Sequence, residues 1–265
     1  MDPSFYIKLA LSFVVGGLWI TLASVTAERL GSKVGGVIGG LPSTAVVAYG
    51  FIAWTQGPQR AFDATTAFPL SFSANALYLI AFAALARHGL GAAIGGALAT
   101  WLAAQALLLA LPAPTIGLGI AVWLAVLVLA YLALERWLRV RSQRRVAVRY
   151  TLAQLAGRAA FAGGIVALAV VMTQVGGPVW GSVFASFPAL YTSTLVLTGR
   201  SAGVGFARSL TTSLMISSLV NVVVFVVAFR FAVLELGLLA ALAAAYLASL
   251  VSAYGTYRFI KTRLS

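Results

Sequence analysis

Apolar runs of about 20 residues, separated by short polar links, recur along the whole chain. The pattern predicts nine membrane-spanning helices, at 5–26, 34–54, 64–86, 91–111, 116–136, 151–173, 178–198, 209–229 and 232–256. A helix of ~20 residues crosses the ~30 Å hydrocarbon layer of a bilayer. No segment alternates with period two, as a barrel strand would. Because lipid offers a backbone N–H or C=O no partner, helices are the spanning structure left to such a sequence. The expected fold class is an all-α polytopic membrane protein.

A second pattern overlies the first. Residues 31–42, GSKVGGVIGGLP, align without a gap on residues 177–188, GPVWGSVFASFP, 146 positions later. Gly31 falls on Gly177, Gly35 on Gly181, Val37 on Val183 and Pro42 on Pro188. The same offset places Thr65, Thr66, Ser71 and Asn75 on Thr211, Thr212, Ser217 and Asn221. Gly16-Gly17 falls likewise on Ala162-Gly163, so span one reads as a repeat member and not as a cleaved signal peptide. We expect repeat 1 over 1–112 (spans one to four), a linker over 113–149 (span five and a basic loop) and repeat 2 over 150–265 (spans six to nine). Equivalent helices are five spans apart. Five is odd, so the repeats are expected to be inverted, with a pseudo-two-fold axis in the membrane plane.

The polar residues inside the spans give candidate chemistry. Pro42 and Pro188 fall mid-span, where each removes a helical hydrogen bond and is expected to free a carbonyl, at Ile38 and Phe184. Ser43 and Thr44 follow the first proline, and Thr192, Ser193 and Thr194 the second. Ser71 and Asn75 are four residues apart, as are Ser217 and Asn221, so each pair faces one way on its helix. We expect Pro42, Ser43, Thr44, Ser71, Asn75, Pro188, Thr192, Ser217 and Asn221 to line a solute site of the broken-helix kind. The same asparagines would serve equally to bond helices together. Gly31, Gly35 and Gly39, with Gly177 and Gly181, form small-residue ridges suited either to helix packing or to close approach of a solute. Arg158, near the end of span six, is expected to snorkel to the interface; turned inward, it would favour an anionic solute.

Composition narrows the function. The 265 residues are 62% hydrophobic and 9% charged, with a mean hydropathy of +1.01, as expected of an integral membrane protein. Cysteine is absent and histidine occurs once, so no metal or other cofactor is expected. No nucleophile–base pair or nucleotide loop is legible, and the chain is not read as an enzyme. No carboxylate falls at mid-membrane, which argues against carboxylate-based proton exchange. The formal charge of +13 is concentrated in the link carrying Arg139, Arg141, Arg144, Arg145 and Arg149. That side is expected to be cytoplasmic, with the N-terminus outside and the C-terminus inside a cell membrane. The expected partners are membrane lipids and a small solute, with no nucleic acid; a homo-oligomer is compatible with the sequence. Trp54, Trp137 and Trp180 lie near span ends, as an aromatic belt requires.

Residues 174–226, with Gly177, Pro188, Thr192-Ser193-Thr194, Gly199, Thr211 and Thr212, resemble the GlpM-like group of small four-helix bacterial membrane proteins. The first half is similar through Gly35, Pro42, Thr65 and Thr66. The resemblance implies a fused two-repeat form of such a unit and supplies no substrate. Three readings follow: a carrier or uniporter for a small neutral or anionic solute, a channel along the same axis, and a lipid-handling or scaffolding protein without transport. The last predicts that both asparagines are fully bonded to protein, with no water-sized void beside the prolines.

Overall fold

The computed structural model describes residues 3–29, 37–38, 40–141 and 151–263. Gly31, Gly35, Gly39, Arg144, Arg145 and Arg149 lie outside the described residues. Among those described there are helices and no strands. In chain order these are α1 (Pro3–Arg29), α2 (Ser43–Gln56), α3 (Pro58–Ala64), α4 (Phe68–Leu85), α5 (Leu90–Ala110), α6 (Ile116–Leu132), α7 (Leu152–Gly176), α8 (Pro178–Ala185), α9 (Ala189–Ala202), α10 (Val204–Ser209), α11 (Thr211–Leu236) and α12 (Leu238–Arg263). A 3₁₀ turn, Ala86–His88, follows α4, and a π-turn, Ala133–Trp137, extends α6.

Among the described residues, seven stretches are long and apolar enough to cross a membrane: 3–23, 68–88, 90–110, 116–137, 152–176, 204–236 and 238–263. The multi-pass membrane class of the sequence reading therefore holds. The expected spans at 34–54 and 178–198 are not continuous helices. Proline lacks the N–H of the ladder and its ring strikes the preceding turn. Each segment is accordingly interrupted at its proline, and α2 and α9, of 14 residues each, begin immediately after it. Fourteen residues reach only ~21 Å, short of the bilayer core. The last boundary also moves: α11 runs to Leu236 and α12 starts after Gly237.

Several joints repeat at the 146-residue offset. Gly57 ends α2 with φ 91° and ψ 159°, and Gly203 ends α9 with φ 88° and ψ 154°. A positive φ of this size is open to glycine and strained for other residues, so both helices stop sharply and turn into the short α3 and α10.

The helices α1 and α7 run antiparallel at their crossing. Gly17 abuts the carbonyl of Ala159, while Gly163 abuts the carbonyl of Phe13. As one index falls by four, the other rises by four. A Cβ on either glycine would occupy the space of that backbone oxygen. The two contacts exchange under the 146-residue offset, since 17 and 13 map to 163 and 159. The main core is aromatic. Tyr49 sits edge-on to Phe68 at 5.7 Å, Phe225 stacks on Phe229 at 6.0 Å, and Phe187 meets Trp101 at 5.0 Å. Trp54, Trp137 and Trp180 are all exposed, as expected of a belt.

Candidate functional site

Both proline breaks have one backbone geometry. Pro42 has φ −75° and ψ 47°, and Pro188 has φ −75° and ψ 46°. In each, the following N–H donates to the preceding carbonyl, Ser43 to Leu41 at 2.7 Å and Ala189 to Phe187 at 2.8 Å. These are inverse γ-turns. The carbonyls expected to be freed are not. Those of Ile38 and Phe184 accept from the N–H groups of Leu41 and Phe187, each at 3.1 Å. The turns tighten enough to satisfy their own backbone, so neither oxygen is left bare.

A cavity of about 30 Å³ lies between the turns. Its wall contains Leu41 and Phe187, Pro42 and Pro188, Thr44 and Leu190, Ala45 and Tyr191, and Phe72 and Ser218. Each of these pairs is separated by 146 positions. Ser43 and Asn75 complete the polar part of the wall. A void needs ~10–15 Å³ to hold one water, so the present space suits one or two water-sized groups.

The expected site residues divide between the cavity and its frame. Pro42, Ser43, Thr44, Asn75 and Pro188 line the cavity; Ser71, Thr192, Ser217 and Asn221 do not. Ser71 donates to Gln105 Oε1 at 2.9 Å, and the Ser186 hydroxyl, 2.6 Å from that of Ser71, shares its one proton between Ser71 Oγ and the carbonyl of Val183. Gln105 returns its amide to Ser71 O at 2.9 Å. Thr192 pairs with the Tyr78 hydroxyl at 3.0 Å. Ser217 donates to Val37 O at 2.9 Å, reaching it over Gly40, where a Cβ would collide with Ser217. In the other half Ser186 stands at the position of Gly40 and donates to Val183 O at 2.9 Å. The serine that reaches the helix-break carbonyl is thus supplied by opposite partners in the two halves.

The two asparagines are not equivalent, although both are fully buried. Asn221 Nδ2 donates to Ser217 Oγ at 2.9 Å, and its Oδ1 accepts from Ser252 at 2.9 Å and Thr256 at 3.4 Å. It knots α11 to α12. Asn75 Nδ2 donates to Ser186 O at 2.9 Å, a carbonyl at the second break, but its Oδ1 has no partner among the described residues. Trp101 Nε1 is likewise buried without a partner there. Gln105, one turn after Trp101, pairs with Ser71, one turn before Asn75, so Trp101 and Asn75 stand at one level on facing helices. An unmatched acceptor and an unmatched donor at one level is uncommon in a folded core. We expect Asn221→Ala to lower unfolding stability by about 2 kcal/mol, since three bonds of ~0.6 kcal/mol each are lost in an apolar setting. A detergent unfolding titration of wild type and variant measures it.

Gly177, at φ 89°, is the joint between α7 and α8, with nothing within 4 Å of its Cβ direction. It serves the turn and not close approach. Gly181 does serve close approach, its Cβ position lying against Thr173 of α7.

Arg158 corrects the sequence reading. It does not snorkel: its side chain is 3% exposed, and Nη2 donates to Thr194 Oγ1 on α9 at 3.4 Å. Its neighbour Ala159 forms the α1–α7 crossing, so the guanidinium is held at the level of that crossing. Thr194 follows the cavity-lining Leu190 by one helical turn.

Sequence reasoning missed Tyr78, Trp101 and Gln105, and read Ser186 only as one of the small residues before Pro188 that permit close approach. Gln105 left a signal, as the single amide of its span; the others matter only through the helices that face them. Comparisons with family models, with curated proteins and with solved structures find no match to this chain.

Proposed function

We propose that this protein is a secondary carrier or uniporter moving a small neutral or anionic solute by alternating access. In this reading the two divided helices each complete a crossing, giving nine spans in all. The halves are inverted four-helix repeats, related to each other as two copies of a GlpM-like unit fused through α6. The N-terminus is outside and the C-terminus cytoplasmic. Two inverted halves supply two conformations of similar energy, one open to each side.

One observation carries the reading: a cavity whose wall pairs residues 146 apart and includes Asn75, whose buried Oδ1 has no partner among the described residues. The antiparallel, exchanging contacts of α1 and α7 support a two-fold axis perpendicular to those helices. A void on such an axis lies at mid-membrane, where a carrier holds its solute. The small cavity fits an occluded state, and the buried Arg158 favours the anionic end of the solute range. The scaffolding alternative requires both asparagines bonded and no void; Asn75 and the cavity tell against it.

The test is uptake into proteoliposomes of labelled glycerol, urea, chloride, formate, acetate and phosphate. We expect saturable uptake of at least one, reduced more than tenfold by Asn75→Ala. Uptake indifferent to Asn75→Ala removes the site assignment. Non-saturating flux far above ~10³ per second, beyond ordinary turnover, would make the protein a channel.

A further inference from the structure

Besides the central cavity, the structure contains a hollow of about 540 Å³ at the end of the molecule where α4, the π-turn and α10 meet. Its wall includes Arg87, Arg208, Trp137, Leu138, Ala84 and Gly205. How it arises is clear from the opposite end. There Arg230 of α11 reaches α3: its Nη1 donates to Phe62 O at 2.8 Å, Thr65 Oγ1 at 2.9 Å and Thr66 Oγ1 at 2.8 Å. The guanidinium lies 3.7 Å over the Phe62 ring.

At the 146-residue offset Phe62 becomes Arg208 and Arg230 becomes Ala84. The arginine changes sides and the bulk of its partner is lost. Arg208 Nε donates to Ala83 O at 2.9 Å, and Nη2 donates to Leu138 O. Its charge is therefore fixed at the edge of the space that Ala84 leaves open. Arg87, exposed in the 3₁₀ turn after α4, adds a second cation to the same wall. Trp137, 80% exposed, borders it at the end of a helix whose Leu124, Val128 and Leu129 also face outward.

We propose that this hollow is a site for the phosphate headgroup of an anionic phospholipid. Two cations supply the charge complement, as basic pockets between membrane helices do. The alanine and leucine wall suits the glycerol and upper acyl chain, and the indole of Trp137 belongs at headgroup depth. A free phosphate shares the anionic chemistry but gains nothing from the apolar wall or the exposed indole. The assignment is independent of transport and requires only that the protein lie in a bilayer.

Native mass spectrometry of the detergent-purified protein, with phosphatidylglycerol, phosphatidylcholine, glycerol 1-phosphate or sodium phosphate added, tests it. We expect phosphatidylglycerol to bind in preference to phosphatidylcholine, and its affinity to fall about fivefold in Arg87→Gln, the effect of one interfacial charge. Arg60→Gln, at the other end, is expected to leave it unchanged. Because Arg208 also ties two backbone segments, Arg208→Gln can fail to fold, and Arg87→Gln is the deciding variant. Unchanged phosphatidylglycerol affinity in Arg87→Gln would overturn the proposal. Equal binding of glycerol 1-phosphate or sodium phosphate would overturn it too, in favour of a soluble anion.

Discussion

Cysteines placed at positions 59 and 205 are expected to react with a membrane-impermeant maleimide from opposite faces of the membrane. The two positions are 146 apart and lie in the short helices α3 and α10. Gln59 is exposed, and nothing lies within 4 Å of a Cβ at Gly205, so both substitutions fit. The chain has no cysteine of its own, which removes background. Between the two sites lie α4, α5, α6 and α7, followed by the divided pair α8 and α9. If the divided pair crosses the bilayer, the number of crossings is odd and the faces differ. If it enters and returns, the number is even and both cysteines react from one side. The expected outcome is all-or-none: intact inside-out and right-side-out vesicles each label one cysteine and spare the other. Labelling of both from one face would remove the inverted arrangement, and alternating access with it.

Enlarging the α1–α7 crossing is expected to give the greatest loss of stability. Gly17→Ala and Gly163→Ala each drive a methyl into a backbone carbonyl, of Ala159 and of Phe13. A flexible side chain can rotate away; a carbonyl in a helix cannot, so the helices must separate. Overpacking of this kind costs about 1–3 kcal/mol for a methyl, and Gly163→Leu should exceed that range. If the contact is two-fold, the two alanine variants should lose similar amounts, to within about 0.5 kcal/mol. Gly164→Ala is the control, because nothing lies within 4 Å of its Cβ direction. Thermal unfolding of the four variants in one detergent gives the comparison. A harmless Gly17→Ala beside a damaging Gly163→Ala would show that the crossing is not symmetric.

The positions of the two helix breaks were legible in the chain because proline acts locally. It lacks an N–H wherever it stands, so Pro42 and Pro188 divide their helices in any apolar context. The offset that aligned Gly17 with Gly163 and Ser71 with Ser217 also needs no structure to be seen. What the breaks do with their carbonyls was not legible. Whether Ile38 O is left bare or is closed by Leu41 N depends on a few degrees of backbone torsion, which residue identity does not set. Hydropathy alone does not show whether one helix contains such a segment, since it adds residues on both sides of the break.

Hydrophobic patterning and the doubled sequence by themselves determined that this is a helical multi-pass membrane protein with two proline breaks 146 residues apart, because both follow from short-range chemistry and from counting. Only the tertiary structure decided which polar groups meet. Asn75 and Asn221 occupy matching positions, yet the oxygen of Asn221 is bonded by hydroxyls from α12, while that of Asn75, a residue of the cavity wall, has no partner among the described residues. The difference comes from Ser252 and Thr256, 31 and 35 residues away in the chain. Arg158 was read as interfacial because a lone charge near a span end is relieved most simply by water. Its burial and its bond to Thr194 come with the packing of α7 against α9, a tertiary contact that the residues around position 158 do not reveal.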